Sequence, residues 1–378
     1  MADYMFVGSF GGKTGVNIYR FDGESGKAEL VESGFPEINV GHALIDAERG
    51  LIYVTNEKSE NPAFAFGGGG EVYALKIDRE SSRLSLLDKT LSYGALPTYS
   101  AMDRAKRRMI VPHFAAPFSV VTKVERGEDG QFRIVPVFGD SNTVLFSLKE
   151  DGSFDNVLDI YTHPMETGYV ENPHLHSVNR SPLWDLYAVC DMGTDKVYLF
   201  KIEEDKLVPA GNTPLRLSKG CGPRYSAFHP TEPYLFLNCE REPLVKAFSY
   251  DDNGNLREVC SVSALPCGVE PGPNDHPSGL SLSEDGNYLY VLVRGIDSVS
   301  VYKTDAETGV LEMIQCYRLE GRGPRGCCLS PGGRYLAVAN KLSDTVEVLA
   351  VNPDGTLTEH GVIENPSPGV VAFMNNLE

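Results

Sequence analysis

The feature that most constrains the fold of this chain is an internal repeat with an almost fixed spacing. Short apolar runs recur seven times, as YMFVGSF, LIYVTNE, RMIVPHF, LYAVCD, YLFLNCE, YLYVLVR and YLAVANK. Another apolar run precedes each of the last six. The start of this preceding run lies 16 residues before the end of its partner in five cases and 15 residues in the sixth. Paired strand-like runs at a regular spacing indicate a structure built from repeated β-units.

The number of strands in each repeat points to one architecture. Two further strand-like runs follow most pairs, as in DSVSVYKTD and GVLEMIQCY. Four strands per unit, a pitch of roughly 50 residues and little helical periodicity are typical of a β-propeller. The C-terminal SPGVVAFM resembles a first strand without a second, and the N-terminal YMFVGSF a second strand without a first. We predict an all-β, seven-bladed propeller with four antiparallel strands per blade. The C-terminal strand joins the N-terminal blade and closes the ring, so residues 1–378 form a single domain.

Two segments are longer than the repeat requires. Residues 123–173 form the longest stretch that we assign between blades, and residues 60–70 read ENPAFAFGGGG. No Lys-Ser or Lys-Thr follows these glycines, so a phosphate-binding P-loop is not indicated. We interpret 60–70 as a loop at the rim, with a lid over the channel mouth as the alternative.

The repeat also predicts which side chains meet. The first strand of each blade is innermost, and the second runs antiparallel beside it, so the start of one lies next to the end of the other. All seven pairs of start and end residues should then surround one mouth of the central channel. The pairs are Gly41 and Glu57, Thr98 and Phe114, His176 and Asp191, Arg224 and Glu240, Ser278 and Arg294, Arg325 and Lys341, and Gly369 and Phe10.

This set of residues is rich in ionisable groups, which makes it a candidate active site. His113 and Asn340 stand one residue before their end positions and are included. Ionisable side chains that converge in a cleft are the default hypothesis for a functional site. Charges at strand ends can also be purely structural. That interpretation applies best to Asp191, which a turn follows directly, and to Glu57 in TNEKS.

Composition excludes several classes of partner. The formal net charge of −18 disfavours nucleic acid and anionic membranes, because both require a basic face. No apolar run is long enough to span a membrane, and MADYMFVGSF lacks the features of an export signal, so we expect a cytoplasmic protein. The eight cysteines include no C-x-x-C and are expected to be reduced thiols. No cofactor or metal is expected, since HLH at 174–176 is a weak metal motif and nearby arginines would repel a cation.

Several blade motifs resemble those of the seven-bladed propeller lactonase family. These are GCGPRYSAFHPTEPYLFLNCE, HLHSVNRSPLWDLYAVCDMGTDKVYLF, GNYLYVLVRGIDSVSVY and GPRGCCLSPGGRYLAVANKLSDTVEVL, and the resemblance covers essentially the whole chain. The family includes propeller-type 6-phosphogluconolactonases and carboxy-cis,cis-muconate cyclases. The resemblance implies catalytic roles for four residues: His176, Arg224, Glu240 and Arg294. Tyr225, His113 and Lys341 depart from residues frequent in the family, so the resemblance does not fix the substrate.

The expected activity is hydrolysis of a sugar or phosphosugar lactone by a carboxylic ester hydrolase. Hydrolysis needs a base to activate water and donors for the developing oxyanion. We expect His176 to be the base, with Glu240 as the other candidate, and Arg224 and Arg294 to hold an oxyanion or an anionic substrate group. The further substrate-binding candidates are Arg325, Lys341, Asn340, His113, Asp191 and Glu57.

Two other functions remain open at this stage. A muconate-type cycloisomerase would use the same cations with a general acid, and a non-catalytic propeller would only bind a ligand. No Gly-x-Ser-x-Gly motif is present, which disfavours a serine acyl-enzyme. The oligomeric state and the identity of the lactone do not follow from the sequence.

Overall fold

The computed structural model describes residues 3–11, 13–78, 81–115, 120–165 and 172–375. Within these ranges the chain forms 31 β-strands and a single 3-10 turn, Pro331–Gly333. The strands make seven antiparallel sheets arranged as propeller blades, together with one separate two-stranded hairpin. The prediction of an all-β, seven-bladed propeller is confirmed.

The blade that closes the ring combines both ends of the chain. Its strands are β1 (Asp3–Ser9), β2 (Val16–Phe21), β3 (Ala28–Gly34) and β31 (Pro368–Met374). Strand β31 is innermost and pairs antiparallel with β1, from Tyr4 opposite Met374 to Gly8 opposite Val370. The N-terminal segment therefore supplies the second strand of a blade whose first strand comes from the C-terminus, as predicted.

The other six blades follow in chain order. Blade 2 contains β4 (Val40–Asp46), β5 (Leu51–Asn56), β6 (Glu71–Ile77) and β7 (Leu84–Leu91). Blade 3 contains β8 (Ala101–Met102), β9 (Arg108–Pro112), β12 (Ser141–Leu148) and β13 (Phe154–His163). Blade 4 contains β14 (Leu175–Arg180), β15 (Tyr187–Asp191), β16 (Lys196–Glu203) and β17 (Lys206–Pro209), and β18 (Leu215–Arg216) also pairs with β16.

The last three blades are the most regular. Blade 5 contains β19 (Pro223–Phe228), β20 (Tyr234–Cys239), β21 (Leu244–Tyr250) and β22 (Leu256–Ser263). Blade 6 contains β23 (His276–Leu282), β24 (Tyr288–Arg294), β25 (Ser298–Thr304) and β26 (Leu311–Arg318). Blade 7 contains β27 (Pro324–Leu329), β28 (Tyr335–Asn340), β29 (Thr345–Val351) and β30 (Leu357–Glu364).

The hydrophobic core lies between neighbouring blades, which explains the sequence pattern of the second strands. LIYVTN, YLFLNC and YLAVAN are buried at every position, because each second strand is covered by a blade on both faces. In one such interface, Leu199 of blade 4 packs with Leu235 and Phe248 of blade 5. The outermost strands, such as β3 and β22, expose several of their side chains. Burial on both faces favours continuous apolar runs over an alternating pattern.

The segment 123–173 was wrongly interpreted from the sequence as lying between blades. It contains β12 and β13, the third and fourth strands of blade 3. The extra length is a hairpin of β10 (Val120–Arg126) and β11 (Phe132–Phe138), inserted between the second and third strands of that blade. Because the hairpin separates β9 from β12, it interrupts the spacing on which the repeat assignment depended. Residues 166–171 of this segment lie outside the described ranges.

Candidate active site

The start residues of the innermost strands lie at β-bulges. The register between first and second strands skips one or two residues in six blades, and each gap contains the start residue that the repeat identified. These start residues are Gly41, His176, Arg224, Ser278, Arg325 and Gly369. A bulged residue leaves the ladder and turns its side chain away from the regular alternation. The bulges therefore determine where the side chains of the start residues point.

The end residues are held beside the start residues by backbone hydrogen bonds. The Glu240 N–H donates to the Gly222 carbonyl at 2.7 Å, and the Lys341 N–H donates to the Gly323 carbonyl at 3.1 Å. The Glu57 N–H donates in the same way to the Asn39 carbonyl at 2.8 Å. The Phe10 and Phe114 N–H groups make the same bond, to the Ser367 and Leu96 carbonyls. The closure is thus repeated in five blades, and it places end and start residues at one mouth of the channel.

Glu240 links two arginines from neighbouring blades. One carboxylate oxygen, Oε2, pairs with Nε of Arg224, and the other, Oε1, lies 2.9 Å from Nη2 of Arg294. The Arg224 side chain is only 2% exposed, whereas the Arg294 side chain is 30% exposed. Burial alone would raise the pKa of Glu240, but Arg224 and Arg294 overcome this effect and lower it to about 2. Glu240 is therefore an anion across the physiological pH range.

A second group of charges lies across the same mouth. Arg325 approaches Glu57, with Nη2 and Oε2 separated by 3.2 Å. The Phe10 ring supports both cations of this group, with the Arg325 guanidinium carbon 3.8 Å and the Lys341 ammonium nitrogen 4.4 Å from its centroid. Burial raises the pKa of Glu57, against the lowering effects of Arg325, Arg224 and Lys341. These electrostatic interactions join both groups into one cluster.

The cluster has an excess of positive charge. Its cations are Arg224, Arg294, Arg325 and Lys341, and its carboxylates are Glu57 and Glu240. Burial and the neighbouring arginines lower the pKa of both Arg294 and Lys341. Among the described residues, Nη1 of Arg224 and Nε of Arg325 have no hydrogen-bond partner although both are buried. Buried donors are normally satisfied, so a ligand with acceptor oxygens fits this mouth.

His176 lies beside the cluster in an aromatic environment. Its ring packs edge-on against Tyr225 at 5.0 Å and Phe114 at 5.9 Å. Burial lowers its pKa well below the ordinary value, and Arg224 adds to this effect while Glu240 opposes it. Within the described part of the chain its Nδ1 has no hydrogen-bond partner. His176 is therefore a neutral imidazole near neutral pH and can accept a proton.

Three predicted substrate-binding residues turn away from the cluster. Asp191 Oδ1 accepts backbone hydrogen bonds from His174, Gly193 and Thr194, so this carboxylate caps its own turn. The Asn340 side chain donates to Glu347 at 2.9 Å on the third strand of its blade. The His113 Nδ1 lies 3.2 Å from the Asn142 carbonyl, and its ring lines a separate small pocket.

Asn340 and His113 lie away from the cluster for a common reason. Both precede their end position by one residue, and successive side chains along a strand point to opposite faces. The structure brings together the other seven predicted residues: His176, Arg224, Glu240, Arg294, Arg325, Lys341 and Glu57.

Aromatic residues that the sequence analysis did not assign to the site form its walls. The Arg224 guanidinium lies 4.5 Å above the Tyr225 ring, and Tyr99 contacts Tyr225 at 5.6 Å. Both tyrosines also line a cavity of about 520 Å³ that extends along the innermost strands, and the charged residues of the cluster are not among the residues that line it. Tyr225 and Tyr99 could have been identified from their places directly after the start residues Arg224 and Thr98. Phe10 is itself an end residue of the repeat and lies at the mouth as expected.

The 60–70 loop lies at the rim next to Glu57. Its fold is closed by a hydrogen bond of 2.7 Å from the Asn61 N–H to the Gly67 carbonyl. A groove of about 710 Å³ is lined by residues of this loop, including Phe64 and Phe66, together with Glu57. This position agrees with the interpretation of 60–70 as a rim loop.

The described residues contain neither a metal-binding group nor a membrane-spanning helix. No three His, Cys, Asp or Glu side chains in these ranges form a group able to hold a metal ion. The same ranges contain no helix of sufficient length and hydrophobicity to cross a membrane.

Comparison with known proteins gives consistent matches over the full length of the chain. Residues 4–373 match the family described as "Lactonase, 7-bladed beta-propeller". The chain is 26% identical over 384 residues to the 6-phosphogluconolactonase of Bacillus subtilis, covering 98% of each protein. It is 24% identical to the 6-phosphogluconolactonase of Formosa agariphila, covering 91% of each.

Solved structures show the same fold. The periplasmic gluconolactonase of Pseudomonas aeruginosa is 24% identical with a TM-score of 0.84, and all of both chains is covered. A putative 6-phosphogluconolactonase of Bacteroides fragilis is 24% identical with a TM-score of 0.80, with 99% and 98% covered. The enzyme class expected from the sequence, a lactone-cleaving carboxylic ester hydrolase, agrees with the matched family. This chain belongs to the seven-bladed β-propeller lactonase family.

Proposed function

We propose that this protein hydrolyses an anionic sugar lactone, 6-phosphogluconolactone or a close analogue, at the charged mouth of its channel. The observation that carries this proposal is the excess of cations over carboxylates in a largely buried cluster, in which Nη1 of Arg224 and Nε of Arg325 have no hydrogen-bond partner among the described residues. A guanidinium binds phosphate or carboxylate oxygens through two parallel hydrogen bonds. The names of the Bacillus and Formosa relatives supply the choice of 6-phosphogluconolactone among anionic lactones.

The proposed mechanism assigns the base to His176. Its neutral imidazole takes a proton from water as the water oxygen attacks the lactone carbonyl, and Arg224 stabilises the oxyanion that forms. The ring C–O bond then breaks, and the imidazolium returns the proton to the departing alkoxide. The product is a hydroxy acid, which ionises and releases a proton into solution.

Glu240 has a different role from His176 in this mechanism. Both oxygens of its carboxylate are already paired with arginines, whereas Nδ1 of His176 has no hydrogen-bond partner among the described residues. The ion pairs of Glu240 with Arg224 and Arg294 instead fix the direction of both guanidiniums. Arg294, Arg325 and Lys341 would bind the anionic group of the substrate, and Glu57 would hold Arg325 in position.

A pH-stat assay tests the proposed function. Hydrolysis of glucono-1,5-lactone 6-phosphate should consume base in proportion to enzyme concentration, above the spontaneous rate measured without enzyme. Arg294→Ala should raise KM for this substrate and leave KM for unphosphorylated glucono-1,5-lactone nearly unchanged. An equal loss on both lactones would refute the anion-binding role of Arg294.

The alternatives give different results in the same series. A cycloisomerase would decrease the ultraviolet absorbance of carboxymuconate without hydrolysing either sugar lactone. A ligand-binding propeller would do neither, and both outcomes would reject the lactonase proposal. The cytoplasmic location stays a prediction, and the Pseudomonas relative is described as periplasmic.

A further inference from the structure

Two buried thiols lie in contact directly behind the charged cluster. The sulfur atoms of Cys221 and Cys239 are 2.7 Å apart, and both residues are completely buried. Cys239 immediately precedes Glu240, and Cys221 lies three residues before Arg224. The two cysteines therefore belong to the backbone segments that position Arg224 and Glu240, the two residues of the ion pair.

The backbone brings these cysteines together independently of their sulfur atoms. Cys239 is the last residue of β20 and lies opposite Pro223 of β19. The carbonyl of Cys221 accepts hydrogen bonds from the Arg241 and Glu242 N–H groups at 3.2 and 3.3 Å. The turn at 221–222 is thus fixed against the end of β20, and Gly222 permits it with a positive φ of 66°.

We propose that Cys221 and Cys239 are a modification site that forms an intramolecular disulfide. Closing the bond requires the sulfur atoms to approach from 2.7 Å to about 2.05 Å, a movement that side-chain rotation can supply. With oxidised glutathione as the oxidant, one thiolate attacks its S–S bond, forms a mixed disulfide and releases one glutathione thiol. The second cysteine thiolate attacks the protein sulfur and releases the other glutathione, so two cysteine thiols become one disulfide.

The environment of the pair determines when the reaction occurs. The adjacent Cys221 thiol and burial raise the pKa of Cys239, and only thiolates attack disulfides. The native protein should therefore react slowly, which distinguishes this pair from a rapid redox sensor. The bond forms when the chain folds in an oxidising medium or during transient opening, and the native fold selects the partners.

Oxidative refolding with peptide mapping tests the proposal. The protein is unfolded in concentrated urea, refolded with oxidised and reduced glutathione, alkylated, digested and examined by mass spectrometry. A cross-linked peptide pair joining Cys221 to Cys239 is expected, lighter by two hydrogen atoms than the sum of its peptides. Refolded protein in which Cys221 and Cys239 are both found alkylated would overturn the proposal. A disulfide between Cys190 and either of these cysteines would also overturn it.

Thermal unfolding provides a second measurement that does not depend on refolding yield. Native protein is incubated with oxidised glutathione a few degrees below its Tm, where buried thiols open transiently. Closing the loop from 221 to 239 should raise Tm by about 4 °C relative to the reduced protein. Cys221→Ser and Cys239→Ser should each abolish this increase, whereas the matched variant Cys267→Ser, at an exposed cysteine, should retain it. An unchanged wild-type Tm with free thiols would also contradict the proposal.

Discussion

Glu240 determines the geometry of the mouth because it is shared between two guanidiniums. Each of its carboxylate oxygens has a different arginine partner, one almost fully buried and one partly exposed. Removing the negative charge leaves Arg224 and Arg294 facing each other with little water to separate them. Such a change removes two ion pairs at once and adds a repulsion between like charges.

Glu240→Gln should therefore destabilise the protein in a pH-dependent manner. We expect the variant to lose roughly 3–5 kcal/mol of unfolding free energy at neutral pH, the usual cost of breaking a buried ion pair. The pKa of Glu240 is about 2 in the folded protein and about 4.3 in an unfolded chain, so its contribution is present above pH 4.3. It is lost as the pH falls through 2. Urea unfolding at pH 7 and at pH 3 measures the difference.

A matched surface variant separates this effect from the general cost of losing a carboxylate. Glu258 forms an ion pair with Lys246 at 3.3 Å, and 47% of its side chain is exposed. Glu258→Gln should cost less than about 1 kcal/mol at neutral pH. A Glu240→Gln deficit of the same size at pH 7 and pH 3 would show that packing, not charge, holds Glu240 in place.

His176→Ala tests the proposed base. We expect kcat for lactone hydrolysis to fall by about 100-fold or more, with a smaller change in KM. Since the pKa of His176 is lowered well below 6.5, wild-type activity should persist below pH 6, and the acidic limb of the kcat profile should appear at lower pH. Initial rates in a pH-stat across the acidic range provide the measurement. His360→Gln, at an exposed histidine, should leave both constants unchanged.

At the level of strands, the sequence predicted the ring but not the directions of its side chains. The 16-residue spacing located Arg224 and Glu240 as neighbours, because antiparallel pairing follows directly from the repeat. The same spacing could not show that Arg224 lies at a β-bulge, since bulges depend on tertiary packing. It also included Asn340, which strand alternation turns towards Glu347. Tyr99 and Tyr225 were missed because only start and end residues were considered, and each of these tyrosines follows a start residue by one position.

Strands of the ring and of the inserted hairpin should differ in their importance for stability. Strand β31 contributes Val370 and Ala372 to one core cluster and Val371 to the neighbouring one, so it connects the blades on both sides. Within the described ranges, the hairpin of β10 and β11 forms a sheet of its own, and it exposes Phe132 and Ile134.

Two deletions test this difference. Removing residues 368–378 should abolish cooperative thermal unfolding, because it opens the ring at its closing blade. Replacing residues 120–138 by a short Gly-Ser turn should change Tm by only a few degrees. Near-ultraviolet circular dichroism during heating measures both. A larger Tm loss in the hairpin variant than in the truncated one would contradict the assignment of β31 as the closing strand.

On the scale of the whole molecule, two opposite electrostatic fields act on a negatively charged substrate. The protein carries a formal net charge of −18, which repels an approaching anion over long distances. Among the described residues, the cluster at the mouth contains two more cations than carboxylates, which attract the same anion at contact. Salt screens interactions between exposed charges much more than those within a buried cluster. Ionic strength can therefore separate the two contributions.

We expect kcat/KM for glucono-1,5-lactone 6-phosphate to increase several-fold as ionic strength rises from about 0.01 to 0.15 M. The Debye length falls from about 30 Å to about 8 Å over this range, which removes the long-range repulsion and retains most of the attraction at the mouth. Glucono-1,5-lactone, which is uncharged, should show no such dependence and serves as the control. The pH-stat assay at constant pH and temperature measures both substrates. A decrease with salt for the phosphorylated lactone alone would mean that the mouth's cations dominate at every distance. In that case the acidic surface would have no influence on substrate capture.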